Sequence, residues 1–493
     1  MKVSITKEIQ GKYDALIIPF MRDTALKTSL SDLDPVASDA IRSALQNEKL
    51  KAVYGSQYSM NLFVGEKFLK IVLVYLGGES NTNRESFLAM AKAFKSCKES
   101  KTPVIGVLFD NVPELGDRPD LAEKFAELPH LVAYEFHAYK TAPISNCMEE
   151  TVIVSKVDGM EEIANEAACV AESTMFARDL VNHPSMYMTP EKLVETVTGR
   201  FAKEGLPIEV EAFGEDQAKE LGMGAFLSVA KGAAAKPQVL VMRYHGGGEE
   251  KPIGLIGKGI MFDSGGYSLK SKMATMHDDM GGAAAVIGAI RAIAVRKLPV
   301  NIVAVVAACE NMVSGEAYVP GDILFSMNGK TIEMLNADAE GRLTLVDAIT
   351  YAIRKENAGT IIDIATLTGA AKGAVGGRSA AVIANDNALF EKVRQASVSS
   401  CEKVWRLPAD RELFDVLRSE VADLKSSCPG NTMGGGTIVA ALFIQEFTEN
   451  HSWCHIDMAP VNWLADGNAY CVHGGSGYGV SLLYETVKIA SQK

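Results

Sequence analysis

The sequence predicts an α/β protein with two domains, a smaller N-terminal one over residues 1–157 and a larger C-terminal one over residues 158–493. Three observations predict it. Short apolar runs alternate with stretches of helical periodicity along the whole chain, the pattern of a sheet covered by helices. The chain's 493 residues allow about two to four domains with ample core. Acid-bearing stretches at 257–282 and 336–343 come after predicted strands, and sheets of this kind place sites at the carboxyl ends of strands.

In the first domain, residues 16–20, 71–76, 104–109 and 131–136 read as strands, with helices at 85–97 and 120–127 between them. His130 and His137 flank the last of these strands and read as structural. Residues 159–182 carry Met160, Ile163, Ala167, Val170, Met175 and Leu180 at helical intervals, which predicts a connecting helix. Beyond it, strands are predicted at 208–212, 238–244, 253–256, 301–308, 360–365 and 455–458. Helices are predicted at 190–203, 216–221, 281–297 and 342–356. That order predicts a mixed, largely parallel sheet with helices on both faces.

Composition narrows the function. An apolar fraction of 47% is ordinary for a globular chain. A net charge of −12 argues against a nucleic-acid surface, which needs a basic face. The eight cysteines include no Cys-x-x-Cys pair and read as thiols of a reducing compartment. The first 20 residues lack the apolar core of a signal peptide, and no run of about 18 apolar residues spans a membrane. A cytoplasmic protein is expected.

The chemistry centres on residues 336–343, Asn-Ala-Asp-Ala-Glu-Gly-Arg-Leu. Asp338 and Glu340 sit two apart, so on an extended segment both carboxylates point the same way. Gly341 then leaves room for another backbone or an unusual dihedral, and a helix follows with Leu343, Val346, Ile349 and Ile353 on one stripe. Alone, this is equally an acidic turn complementing a helix dipole. The second stretch, 257–282, tips the balance. Reading GKGIMFDSGGYSLKSKMATMHDDMGG, it would bring Lys258, Asp263, Lys270 and Asp279 into one Gly-rich loop, a costly burial unless the charges are compensated.

Together the two stretches resemble the cytosolic leucyl aminopeptidase family, two-metal enzymes that remove N-terminal amino acids. The family's first motif is Asn-Thr-Asp-Ala-Glu-Gly-Arg-Leu; here Ala337 stands for the Thr. Its second carries Gly-Lys-Gly, Phe-Asp-Ser-Gly-Gly and Asp-Met, which stand here at 257–259, 262–266 and 279–280. Two long motifs in the right order are a far stronger signal than one short pattern. The resemblance runs from about Phe176 to the end of the chain. It implies a macro-like α/β fold for the N-terminal domain and a mixed-sheet α/β catalytic domain.

What the resemblance implies for the site is specific. Lys258, Asp263, Asp279, Asp338 and Glu340 would hold two divalent ions; the oxygen-rich set suits manganese or magnesium and admits zinc. No His-Glu-x-x-His supports a single-zinc peptidase. Lys258 is a ligand only as a neutral amine, because an ammonium has no free lone pair. Lys270 resembles the family's catalytic lysine, stabilising the oxyanion. Arg342 resembles the arginine that holds a bicarbonate. Met276, Thr366, Leu367 and Gly369 would line a pocket for Leu, Met or another apolar residue. The tail at 473–480, HGGSGYGV, departs from the family's Gly-Ala-Thr-Gly, while His183 and His277 read as structural or loop residues and not ligands. A homohexamer acting on peptides is implied, with the Gly-rich loop of Asn431, Thr432, Met433 and Gly434 at an interface or in the pocket wall. The rival readings are a cysteinylglycine-type dipeptidase using the same residues and a catalytically silent binding protein on the same scaffold.

Overall fold

The computed structural model describes residues 1–9, 13–21, 33–47, 49, 51, 53–77, 82–112, 115–142, 147–430 and 432–492. Asn431 lies outside them. The chain forms two compact units: Met1–Glu172 with Val398–Cys401 and Ala465–His473, and Ser173–Ser397 with Glu402–Leu464 and Gly474–Lys493.

The first unit is built on a six-stranded sheet, in the order Lys2–Thr6, Glu150–Val154, Val104–Leu108, Ala15–Phe20, Lys67–Tyr75 and Gln57–Val64. All neighbours are parallel except the last pair. Two clusters of buried side chains flank it, one around Phe94, Phe109 and Phe125, the other around Leu16, Ile18 and Leu73. The Asn83–Glu99 helix starts with a capping box, in which Thr82 accepts from the Glu85 amide and Glu85 reaches back to the Thr82 amide.

One predicted strand of this unit is a helix. Residues 131–136 read as extended because they form a short apolar run, yet 131–133 close the helix Pro119–Ala133, which contains Pro129, and 134–136 are irregular. Every residue from Leu121 to Ala133 is buried, so tertiary packing outweighs the local cost of the proline. His130 is therefore a buried helical residue.

The second unit is organised on an eight-stranded mixed sheet. Its order is Val404–Arg406, Ala380–Ala384, Ser452–Asp457, Thr360–Ala365, Ile253–Asp263, Asn301–Asn311, Gln238–His245 and Ile208–Phe213. The four central strands, Ser452–Asp457 to Asn301–Asn311, are mutually parallel, and antiparallel pairings begin on either side of them. Central strands buried on both faces need continuous apolar sequence, and Asn301–Asn311 is buried at every position but Glu310.

Two helices pack against this core and deliver residues to the site. Gly281–Val295 is buried from Gly281 to Ala294, and Glu340–Arg354 from Glu340 to Ile353. The stripe expected on the latter is thus a helix buried all round. Pro190–Glu204 shows conventional ends, with Thr189 accepting from the Lys192 amide and Gly205 in the left-handed region.

Candidate active site

Lys258 and Asp263 project from a strand. Ile253–Asp263 runs past the expected end at 256 because Asn301–Asn311 pairs alongside it, from Ile302 opposite Ile253 to Asn311 opposite Asp263. Its glycines made it read as a loop. They serve close packing instead: a β-carbon on Gly257 would fall 2.6 Å from the Gly282 carbonyl oxygen.

Asp338 and Glu340 also converge differently from expectation. Asp338 sits in a turn closed by the Ala339 amide on the Asn336 carbonyl (3.0 Å), and Glu340 is the first residue of its helix. The turn, and not strand alternation, brings the two carboxylates to one side.

The predicted residues from both stretches meet in one buried charge cluster. Lys258 Nζ lies 2.8 Å from Glu340 Oε1 and donates to the Thr366 carbonyl at 3.0 Å. It lies 2.9 Å from Asp279 Oδ2, an ion pair not aligned as a hydrogen bond. Lys270 Nζ pairs with Asp263 Oδ2 at 2.7 Å and with Asp338 Oδ1. Thr366 Oγ1 donates to Asp279 Oδ1 at 2.6 Å. Carboxylate oxygens of Asp263, Asp338 and Glu340 all lie within 4.8 Å of one another.

Four carboxylates thus share two ammonium groups. Burial raises the pKa of Asp279, Glu340 and Asp338, the neighbouring carboxylates add to it, and the lysines oppose it. Burial works against the charge on Lys258, but Asp279, Glu340 and Asp263 outweigh it and hold its pKa above the usual lysine value. The same balance, led by Asp263, keeps Lys270 charged.

Arg342 sits apart from these ion pairs. Its Nη1 donates to the Ser426 carbonyl at 2.7 Å, and Nε is buried without a hydrogen-bond partner among the described residues. Burial lowers its pKa to about 10, against the pull of Glu340 and Asp457. Met276 lies in the short 3-10 turn Met276–Asp278 leading to Asp279. The Leu367 amide donates to Asp457, and Gly369 begins the Gly369–Val375 helix capped by Thr368.

Residues 175–484 match the catalytic-domain model of the cytosol aminopeptidase family, and residues 17–143 match that family's N-terminal domain. The chain belongs to the cytosol aminopeptidase family. It is a metallo-aminopeptidase, a hydrolase that releases N-terminal residues from peptides. A probable cytosol aminopeptidase of Clostridium perfringens is 42% identical over 490 residues, covering 96% of each chain. One from Clostridium tetani is 38% identical, covering 92% of this chain and 94% of the relative. Among solved structures, a mutant of tomato leucine aminopeptidase superposes with a TM-score of 0.85 at 31% identity, covering 99% of this chain and 96% of that one. A bottromycin maturation enzyme, BotP, in complex with Mn, superposes with a TM-score of 0.83 at 27% identity, covering 97% of this chain and all of that one. The family match reaches well into the N-terminal domain, where the sequence alone carried little resemblance.

For a metal-dependent aminopeptidase the donor set fits. Hard carboxylate oxygens crowd within ligand distance, and Glu340 Oε2 is buried without a hydrogen-bond partner among the described residues. The burial and mutual repulsion that raise these carboxylates are what divalent cations would offset.

Several residues of the aminopeptidase site escaped the sequence reading. Asn311 donates from Nδ2 to Asp263 Oδ1 (2.8 Å) and to the Ala337 carbonyl (2.9 Å). Asp278 is buried beside Asp279, and burial raises its pKa to about 7. Asp457 and Asn462 hold the loops around the cluster. Asn311 and Asp457 end the strands Asn301–Asn311 and Ser452–Asp457, whose ends differ from the expected 308 and 458, so the carboxyl-end rule points to them only once the strand lengths are known.

Proposed function

We propose that this aminopeptidase works with two divalent cations, manganese, zinc or magnesium, held by Lys258, Asp263, Asp279, Asp338 and Glu340, and that it prefers peptides beginning with Leu, Met or another apolar residue. The observation that carries the reading is the meeting of Lys258, Asp279 and Glu340 with Lys270, Asp263 and Asp338 in one buried cluster. When bound, such cations supply Lewis acidity to the scissile carbonyl and a water of lowered pKa.

The chain's own groups do the rest. The free α-amine of the substrate would be anchored where these residues hold the cations, which accounts for cleavage at the N-terminus. Lys270, charged and about one fifth exposed, donates to the developing oxyanion. Lys258 would serve as a ligand only as a neutral amine, with its proton given up once bound cations neutralise the carboxylates around it. Arg342 would hold a small anion, bicarbonate, with the Ser426 carbonyl fixing one end of its guanidinium. Met276, Thr366, Leu367 and Gly369 meet the substrate side chain. The enzyme acts as a cytoplasmic homohexamer; among the described residues no helix is long and apolar enough to cross a membrane.

The test is a panel of aminoacyl amides, dipeptides and longer peptides, assayed after chelation and metal replacement. Chelated protein is expected to be inactive, and manganese, cobalt or zinc to restore cleavage of a leucyl substrate. Equal cleavage of the N-acetylated substrate overturns the amine anchor, and activity confined to dipeptides reassigns the enzyme as a dipeptidase.

A further inference from the structure

Asp457 is a fully buried carboxylate at the carboxyl end of Ser452–Asp457, in register with Ala365 on the neighbouring strand. Its Oδ1 accepts from the amides of Leu367 (3.2 Å), Thr368 (3.4 Å) and Ala459 (3.2 Å). Its Oδ2 accepts from Thr368 Oγ1 at 2.6 Å. Three of these four donors belong to the short connection that leaves the Thr360–Ala365 strand and enters the Gly369–Val375 helix.

The other end of that connection is tied to the charge cluster. Thr366 offers its carbonyl to Lys258 and its hydroxyl to Asp279. Residues 366–368 are therefore hung between Asp457 and the Lys258–Asp279 pair. The turn after Asp457 grips the neighbouring loop as well. Asn462 Nδ2 donates to the Asp278 carbonyl at 2.8 Å, and a β-carbon on Gly281 would fall 2.0 Å from Asn462 Oδ1.

A buried carboxylate costs free energy unless donors satisfy it, and here most of the donors come from one loop. We propose that Asp457 is a positioning residue of the aminopeptidase reaction, fixing Leu367 against the substrate side chain and Thr366 against Lys258 and Asp279. The inference rests on the reading of Thr366 and Leu367 as pocket residues. Asp457 touches neither substrate nor metal in it. Its influence passes through the backbone of residues 366–368 and should appear first as substrate selectivity.

The experiment uses the metal-loaded enzyme and a panel of aminoacyl anilides, taking the wild type's own best two substrates so that the test stands whichever residue is preferred. Thr368→Val removes the hydroxyl that bonds Asp457 and that also caps the Gly369–Val375 helix and bonds Thr437, and Thr368→Ser keeps all three. Thr368→Val is expected to lower kcat/KM about tenfold for the best substrate and less for the second, flattening the preference; Thr368→Ser restores both. Asp457→Ala, which leaves the Leu367, Thr368 and Ala459 amides and the Thr368 hydroxyl without this acceptor, is expected to flatten it further where thermal melting shows a folded protein. A Thr368→Val enzyme with unaltered preference overturns the proposal, as does a loss of kcat/KM equal for both substrates and in proportion to unfolded protein.

Discussion

Gly341 lies against the end of Lys258: a β-carbon on it would fall 2.4 Å from Lys258 Cε and 2.6 Å from Nζ. The glycine after Glu340, inside the Glu340–Arg354 helix, makes room for a side chain from the Ile253–Asp263 strand, not for a backbone. Gly341→Ala should leave the helix intact, since alanine favours it, while displacing the Lys258 amine. We expect kcat/KM to fall roughly 100-fold with an unchanged far-UV spectrum, because a displacement of about 1 Å at reacting groups costs that much. Wild-type activity in this variant would show that Lys258 needs no fixed place.

Lys270 and Asp338 are ion-paired but are expected to separate by function. Lys270→Ala should lower kcat by roughly 100-fold while two ions remain bound, as for loss of one oxyanion donor. Asp338→Ala should lose metal. Elemental analysis of both proteins decides it, and a metal-free Lys270→Ala would mean that its role has been exchanged with that of Lys258.

Asn311 orients Asp263 through a 2.8 Å hydrogen bond and ties it to Ala337. Replacing it with leucine should weaken metal binding about 10- to 100-fold, the range for a partner that orients a ligand. Titration with a competing chelator measures this, and an unchanged affinity would leave Asn311 a packing residue only.

His130 supplies a pH dependence in the N-terminal unit. Burial lowers its pKa from 6.5 to about 4, with the N-terminal amine adding to the effect and Glu172 opposing it. The folded pKa is depressed, so the unfolded state binds the extra proton. Stability is therefore complete above 6.5 and is lost as pH falls toward 4, by up to about 3 kcal/mol at about 1.4 kcal/mol per pKa unit. Thermal melts of His130→Leu should fall less steeply than wild type across this window; parallel curves would place the acid sensitivity elsewhere.

Assembly is tested by light scattering. A homohexamer is expected at micromolar concentration, with low activity on folded proteins, and closed symmetric assembly is the usual state of soluble homo-oligomers. A stable, fully active monomer would remove this expectation and leave the chemistry untouched.

The sequence by itself determined the layered α/β class and the order of the longer elements of the second domain, and it named the charged residues that the structure brings into one cluster. It did so because periodicity and the two motif stretches are local properties, carried by covalent neighbours. Residues 360–365 and the helix beginning at Pro190 are legible in this way. Short or edge strands such as Lys2–Thr6, Gln57–Val64 and Val404–Arg406 were not, because their pattern is too brief or too polar to stand out. The tertiary structure alone decided that Ile253–Asp263 stays extended through its glycines, since the partner strand Asn301–Asn311 supplies the hydrogen bonds. It alone set Lys258 between Asp279 and Glu340, and Asp457 beneath Leu367 and Thr368. Those distances depend on the register of parallel strands joined by long crossovers, and register is fixed by packing between segments far apart in the chain.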